Sequence, residues 1–402
     1  MATIDPARLL GDLTTLRGFG RFRTGVHRPT LSPADVEARR WLVACLQEAG
    51  LDARIDGIAS VFGFTRNPGR RLLIGSHLES QNEAGWLDGA LGVICALEIA
   101  RALPGLPIDV VAFADEEGHF GSFLGSRSFI GEVTEAEIDA ARCRTRGIAL
   151  RDALKQAGLD GVPRVTLDDP SRYLGFLEAH VEQGDELEAK GLRLGVVTSI
   201  VAIWNFRIRC AGVQNHAGTT RMAIRKDAGV AMVRLANRIH DTMPQVVAER
   251  SVWTIGRISL DPNAPSIIPG GAEMNVQVRD ADPAVLARIE AHLRALVAEA
   301  DAAGPCRVTI EDGSKGIPKV MDARFQDALA AAAEARAPGA WQRMPSGAGH
   351  DAQVVALRMP AGMLFVPSIG GISHHWSEDT KEEDIVLGCA VLADAAEALV
   401  KG

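Results

Sequence analysis

Five side chains of metal-ligating type stand beside short apolar runs. They are His77 at the end of "RLLIGSH", Asp88 in "NEAGWLDG", Glu117 in "ADEEG", His180 in "LEAHVEQG" and His374 in "GGISHH". Imidazole and carboxylate are the donors that hard or borderline divalent cations take when several fixed elements present them. Such a set could divide its histidines between two ions and share one carboxylate, leaving Glu116 free to take a proton from water. Spacing alone does not join the five into one site. A histidine after a strand is equally a hydrogen-bonded turn residue, and adjacent glutamates are commonly a solvated loop.

Among the elements that must position these residues, "ADVEARRWLVACLQEAG" has helical periodicity and stops at Gly50. "LDARID", "SVFGFTR", "RLLIGSH" and "IDVVAFADEEG" read as strands, with the apolar helix "ALGVICALEIARAL" between the last two. A crossover of that length predicts a parallel pair in an α/β sheet. Both "GSHLES" and "ADEEGH" then fall at carboxyl ends of strands, the edge where open α/β sheets bind ligands. The middle third changes to the order β-α-β-β-α-β, that of a ferredoxin-like unit able to fold as its own domain. After it come a helix, an apolar strand and a last helix of α/β character. The expected organisation is a catalytic domain in two segments, 1–202 and 319–402, with a small domain at 203–318 inserted between them.

The chain has 402 residues, too many for one ordinary core. Its net charge of −8 argues against general nucleic-acid binding, which needs a basic surface. No apolar stretch is long enough for a membrane span, and "MATIDPARLLGDL" lacks the basic and apolar regions of a secretory signal. The six cysteines are dispersed, with no C-x-x-C pair, a pattern expected of reduced thiols in a cytoplasmic protein. Any metal must therefore be held by histidine and carboxylate.

The segments "GSHLES…LDGALGV", "VVAFADEEG", "LGSRSF", "EAHVEQG", "LGVVTSI", "HAGTTRM", "IIPG", "SGAGHDA" and "MLFVPSIGGISHH", in this order, resemble the di-metal amidohydrolases of the M20 peptidase superfamily. The branch they resemble is the hydantoinase/carbamoylase group, which holds N-carbamoyl-L-amino-acid hydrolases, allantoate amidohydrolases and β-ureidopropionases. The resemblance implies an α/β, di-metal exopeptidase-like catalytic domain carrying an inserted ferredoxin-like α+β lid that also dimerises. It implies that Asp88 bridges two metals, with His77 and His180 completing one and Glu117 and His374 the other. Glu116 becomes the general base. "EAHVEQG" marks the branch, since ordinary M20 peptidases mostly place an acid where His180 stands, and the Gly-Ile-Ser-His motif favours His374 over His375. His216 in "NHAGTT" resembles the residue that stabilises the oxyanion, although beside Gly218 it also reads as a turn histidine. Asn263 and Arg279 match the lid positions that bind the substrate carboxylate, for which the planar arginine fork is suited. Arg279 also reads as an ordinary exposed strand residue. Gln183, Gly347 and Gly349 are implied to shape the pocket around the scissile group.

Four positions depart from the family pattern. Glu79 stands where relatives carry the aspartate that orients the metal histidine, a partner whose loss weakens metal binding by about 10- to 100-fold. Trp86 is expected to reshape the pocket mouth, Gln277 replaces an acid beside Arg279, and His119 follows "EEG" where a small or polar residue is usual. The expected activity is hydrolysis of a linear amide or ureido C–N bond in a small carboxylate-bearing substrate, N-carbamoyl-L-amino acid or allantoate-like. It would use two divalent ions (Zn, Mn, Co or Ni) in a cytoplasmic homodimer joined through the lid, with no nucleic-acid or membrane partner. The alternatives are an N-acyl-amino-acid amidase or peptidase, a hydrolase of an atypical amide, and a non-catalytic metal- or ligand-binding homologue.

Overall fold

The apolar runs flanking the candidate ligands form the strands Arg71–His77, Ile108–Phe113, Tyr173–Val181 and Ala361–Val366 in the computed structural model, which describes residues 2–402. Ile108–Phe113 and Tyr173–Val181 lie on either side of Arg71–His77, Ala361–Val366 follows Tyr173–Val181, and all four are parallel. Nearly every residue in them is buried, as parallel strands covered on both faces must be. Antiparallel strands extend both flanks: Val61–Phe64 and Asp52–Ile55 on one side, Leu194–Ile200 on the other. Among the described residues the sheet is nine-stranded and mixed.

The helix Ala90–Ala102 connects the first two parallel strands. Every residue from Ala90 to Ala100 is buried, because this helix lies between the sheet and the helices Pro6–Gly18 and Glu382–Lys401. An all-round apolar helix has no other stable place. On the sheet, Phe62, Phe113, Phe129 and Phe176 form a cluster of tilted and edge-on rings, Phe113 and Phe129 with centroids 5.7 Å apart. The helix Pro33–Glu48 starts on a Ser32 cap, its hydroxyl accepting the Asp35 N–H at 3.3 Å, with proline in the first turn. This helix points two charged residues, Asp35 and Arg39, into the interior.

The chain divides into two compact units, Met1–Thr198 with Val320–Gly402, and Ser199–Lys319. The second is a four-stranded antiparallel sheet in the spatial order Val252–Asp261, Gly271–Asp280, Ala202–Ala211, Arg307–Lys315. Its helices Ala228–Thr242 and Pro283–Ala303 pack on the sheet through Met232, Leu235, Ile239, Leu286, Ile289 and Leu293. No helix among the described residues is long and apolar enough to cross a membrane.

Candidate active site

The four parallel strands end together, and the candidate ligands stand at those ends. His77 closes its strand, Asp88 lies in the turn entering Ala90–Ala102, and Glu116 and Glu117 follow Ile108–Phe113. His180 is the penultimate residue of Tyr173–Val181, and His374 follows the short 3-10 turn Ile369–Gly371. Three non-glycine residues here adopt left-handed backbone: Asp115 (φ 59), Gln183 (φ 59) and His374 (φ 54). Such conformations persist only where the surroundings over-determine them. Asp115 shows how: its carboxylate accepts the Thr30 hydroxyl at 2.7 Å and the amides of His119, Phe120 and Gly121 at 2.7–2.8 Å. Gly89, also left-handed at φ 67, is required where it stands, because a Cβ would run into the His77 imidazole.

Asp88 is the hub. Its Oδ1 lies 3.4 Å from His77 Nε2 and 3.1 Å from His180 Nε2, and its Oδ2 lies 3.2 Å from His374 Nε2. His374 Nε2 is also 3.5 Å from Glu117 Oε2. Two triads therefore share one aspartate: His77–Asp88–His180, fully buried, and Asp88–Glu117–His374, in which His374 is half-exposed. Glu116 belongs to neither, its Oε2 lying 3.8 Å from His77 Nε2.

The donor set fits divalent cations by a hydrogen-bond argument. His77 Nδ1 lies 3.1 Å from the Glu79 carbonyl and His180 Nδ1 lies 2.9 Å from the Val181 carbonyl. Carbonyls only accept, so both Nδ1 atoms carry protons and the neutral rings turn Nε2 lone pairs toward Asp88. The Gly89 amide donating to His180 Nε2 at 3.2 Å agrees with that tautomer. Lone pairs of imidazole and carboxylate that face each other need a positive charge between them. Without a cation, protons are drawn into that place. Burial alone would raise Asp88, yet its contacts with His180, His374 and His77 hold it well below the usual carboxylate range. Burial would lower His77 and His180, but the acids around them raise both. His374 is pushed up to about 9, first by its contact with Asp88.

A second layer of buried acids, invisible to sequence reading, fixes the first. Glu378 accepts the Asp88 amide at 3.0 Å and the Ser373 hydroxyl at 2.7 Å, tying the loops of Asp88 and His374 together. Glu178 accepts the Ser76 hydroxyl at 2.6 Å and the Ala352 amide at 2.9 Å beneath His77 and His180. Arg39 donates to both Asp35 oxygens at 2.9–3.0 Å, to Glu79 at 2.6 Å and to the Ala59 carbonyl at 2.9 Å, all three charged side chains being buried. Arg39→Met is expected to cost about 3–5 kcal/mol, because two buried carboxylates lose their cation. Urea unfolding of the metal-loaded protein measures this, and unchanged stability would show that the triad contributes nothing net.

The remaining candidates fall in three groups. Gln183 joins the cluster: its Nε2 donates to Asp88 Oδ2 at 2.9 Å and approaches His374 Nε2 at 3.4 Å, while its buried Oε1 has no hydrogen-bond partner. His375 stays out, bonded to the Ser377 hydroxyl at 2.7 Å and with its ring tilted against that of Trp376. Gly347 and Gly349 lie in the turn leading to His350, whose buried ring meets that of His180 with centroids 4.5 Å apart; a side chain at Gly349 would strike Phe123.

In the Ser199–Lys319 unit, His216 is exposed and its Nδ1 accepts the amides of Gly218 and Thr219 at 3.0 and 3.2 Å. That leaves the proton on Nε2, a ready donor. Asn263 is exposed with left-handed backbone (φ 59). Arg279 Nε donates to Gln277 Oε1 at 3.0 Å, and Gln277 Nε2 donates to Asn205 at 3.0 Å, so a neutral amide holds the Nε side of the guanidinium.

The structure places three of the departures, and Trp86 differs from expectation. Trp86 is buried in the main core beneath the Arg17 guanidinium, 4.7 Å from the ring centroid, and does not shape a pocket mouth. His119 is buried and bonded through Nε2 to the Ser80 carbonyl at 2.9 Å. The Glu79 carboxylate does not orient His77, since its own main-chain carbonyl holds that ring and Oε1 stays 3.8 Å away.

Known proteins resemble this chain over most of its length. The model of Peptidase family M20/M25/M40 matches residues 73–398. The chain is 31% identical to an N-carbamoyl-L-amino-acid amidohydrolase of Paenarthrobacter aurescens over 98% of this chain and 97% of that protein. It is likewise 31% identical to an allantoate amidohydrolase of Escherichia coli strain K12 over 92% of each. The crystal structure of an amidase of the hydantoinase/carbamoylase family from Burkholderia phymatum aligns with a TM-score of 0.91 at 50% identity, covering 99% of both chains. With the strand order, the shared aspartate and these likenesses together, the chain belongs to peptidase family M20/M25/M40, in its hydantoinase/carbamoylase branch, and is an amidohydrolase.

Proposed function

We propose that the protein hydrolyses the C–N bond of a small ureido or amide substrate bearing a carboxylate, an N-carbamoyl-L-amino acid or an allantoate-like compound. It does so with two divalent ions, one held by His77, Asp88 and His180 and one by Asp88, Glu117 and His374. The observation that carries this reading is the pair of ligand triads sharing Asp88, with Glu116 beside them and outside both. Ions bound there supply Lewis acidity and make water acidic enough to deprotonate near neutral pH. Their imidazole and carboxylate donors suit Zn, Mn, Co or Ni.

In this reading Glu116 accepts the proton of the attacking water and returns it to the leaving nitrogen. The His216 Nε2–H offsets charge on the carbonyl oxygen. Arg279, oriented by Gln277, and Asn263 bind the substrate carboxylate, while Gln183 and the turn of Gly347 and Gly349 bound the reacting group. A homodimer joined through the Ser199–Lys319 unit is supported by exposed Val252 and Ile258 on an edge strand and Val230 and Val233 on the neighbouring helix. A cytoplasmic setting is supported by six buried, unpaired cysteines.

The test is ammonia release by metal-loaded protein from N-carbamoyl-amino acids, allantoate and N-acyl-amino acids. Ammonia from a ureido compound bears the reading out. Release of a carboxylic acid from an acyl compound, with no ammonia, replaces it by an N-acyl amidase. On the accepted substrate, Arg279→Lys is expected to raise KM by about 10- to 100-fold with a smaller effect on kcat, because a forked charge-assisted pair becomes a single contact. An unaltered KM removes Arg279 from the substrate site.

A further inference from the structure

Three consecutive acids, Asp115, Glu116 and Glu117, leave the strand Ile108–Phe113, and each has its own fixture. Asp115 is held by the turn amides and Thr30. The Glu117 carboxylate accepts Gln81 Nε2 at 2.7 Å and the Gln81 amide at 3.1 Å. Glu116 is held through its backbone: its N–H donates to Glu79 Oε1 at 2.7 Å. The other Glu79 oxygen accepts Arg39 Nη2 at 2.6 Å, and Arg39 is locked by Asp35. Glu79, Arg39 and Asp35 are all buried; Asp35 and Arg39 share the helix Pro33–Glu48 and Glu79 lies after the strand Arg71–His77, so the amide of Glu116 is referred to the interior of that helix.

We propose that Glu79 is the positioning residue of Glu116 in this chain and leaves the orienting of His77 to its own main-chain carbonyl; this rests on the reading of Glu116 as the general base. The extra methylene is what allows it. Oε1 passes the His77 ring at 3.8 Å and reaches the Glu116 amide, while Oε2 reaches Arg39. Aspartate at this position, one methylene shorter, would draw both oxygens back from these contacts. General-base catalysis depends on placement to within a fraction of an ångström, so the acid at residue 79 acts on the reaction through the backbone of its neighbour.

The test compares Glu79→Asp and Glu79→Gln with the unaltered enzyme, each also in a Glu116→Gln background, after loading with metal. Metal content, hydrogen exchange of the 112–120 segment, kcat and KM are read on the same samples. Glu79→Asp is expected to keep its metal, exchange faster around Glu116 and lose about 100-fold in kcat at unchanged KM. Glu79→Gln retains an oxygen for the Glu116 amide and recovers most of that loss. It unfolds more easily, since its NH2 faces Arg39. In the Glu116→Gln background neither substitution lowers kcat further, the non-additivity expected of two residues acting as one unit. Metal loss from Glu79→Asp, unchanged exchange, or an additive loss in the double variants would overturn the proposal. Full turnover by Glu116→Gln alone would instead sink the general-base reading, while the exchange data still decide whether Glu79 holds the amide.

Discussion

Replacing Glu116 by glutamine is expected to lower kcat by about 1,000-fold while metal content and KM stay near their normal values. Glutamine keeps the size and one oxygen of the side chain, so packing around this part-buried position is undisturbed. What it removes is the capacity to take a proton. Burial pushes the Glu116 carboxyl well above the usual range, Glu117, Asp351 and Asp88 push it further, and His77 opposes them. The direction makes this carboxylate a stronger base than a solvated one, as a group that accepts a proton requires. Turnover of the metal-loaded variant decides the matter. A kcat within a few-fold of normal would mean that another group takes the proton, and Glu116 would revert to a structural acid.

Asp88→Asn has the second large expected effect, and it is read without any substrate. Asp88 is the only residue common to the two triads, so its neutralisation weakens both at once. Asparagine is isosteric and can keep the backbone bonds from Asp88 and Leu87 to Glu378. The fold is expected to survive and the metal to leave. The unaltered protein, by contrast, is expected to lose stability on chelation, by about 2.7 kcal/mol if metal stood at a hundredfold excess over its dissociation constant. Elemental analysis and thermal unfolding with and without chelator measure both. A variant that still binds its full complement, or a Tm of the unaltered protein indifferent to chelator, would remove Asp88 from the role of bridge.

The frame was largely legible. "ALGVICALEIARAL" has helix length and no polar face, and it folds as a buried crossover helix between parallel strands. The β-α-β-β-α-β succession was equally readable, since each piece carries a clean periodicity and a turn at its end. The opening helix Pro6–Gly18 went unread, though Leu9, Leu13 and Leu16 repeat at helical spacing and are wholly buried. Its short stripe, diluted by glycine and two threonines, sits low on any hydrophobic pattern.

At the site, spacing could list His77, Asp88, Glu117, His180 and His374 but not assemble them, because strand order decides which loops meet. Resemblance supplied that order. The supporting acids Glu178 and Glu378 and the buried Arg39 stayed hidden for a different reason. A charged residue in a sequence reads as surface, and only the folded chain shows it enclosed. Glu79 was noticed as a departure, yet its partner could not be inferred. The choice between a ring at 3.8 Å and an amide at 2.7 Å is made by a single methylene in three dimensions.

Asp88 and Glu378, which clasp each other beneath the centre, are 290 residues apart in the chain. Contacts so distant form late, after the entropy of closing a very long loop has been met by everything between them. During synthesis His77, Asp88 and His180 leave the ribosome long before His374 and Glu378, so the triad of Asp88, Glu117 and His374 and the clasp by Glu378 close only when the C-terminal segment folds back onto the first.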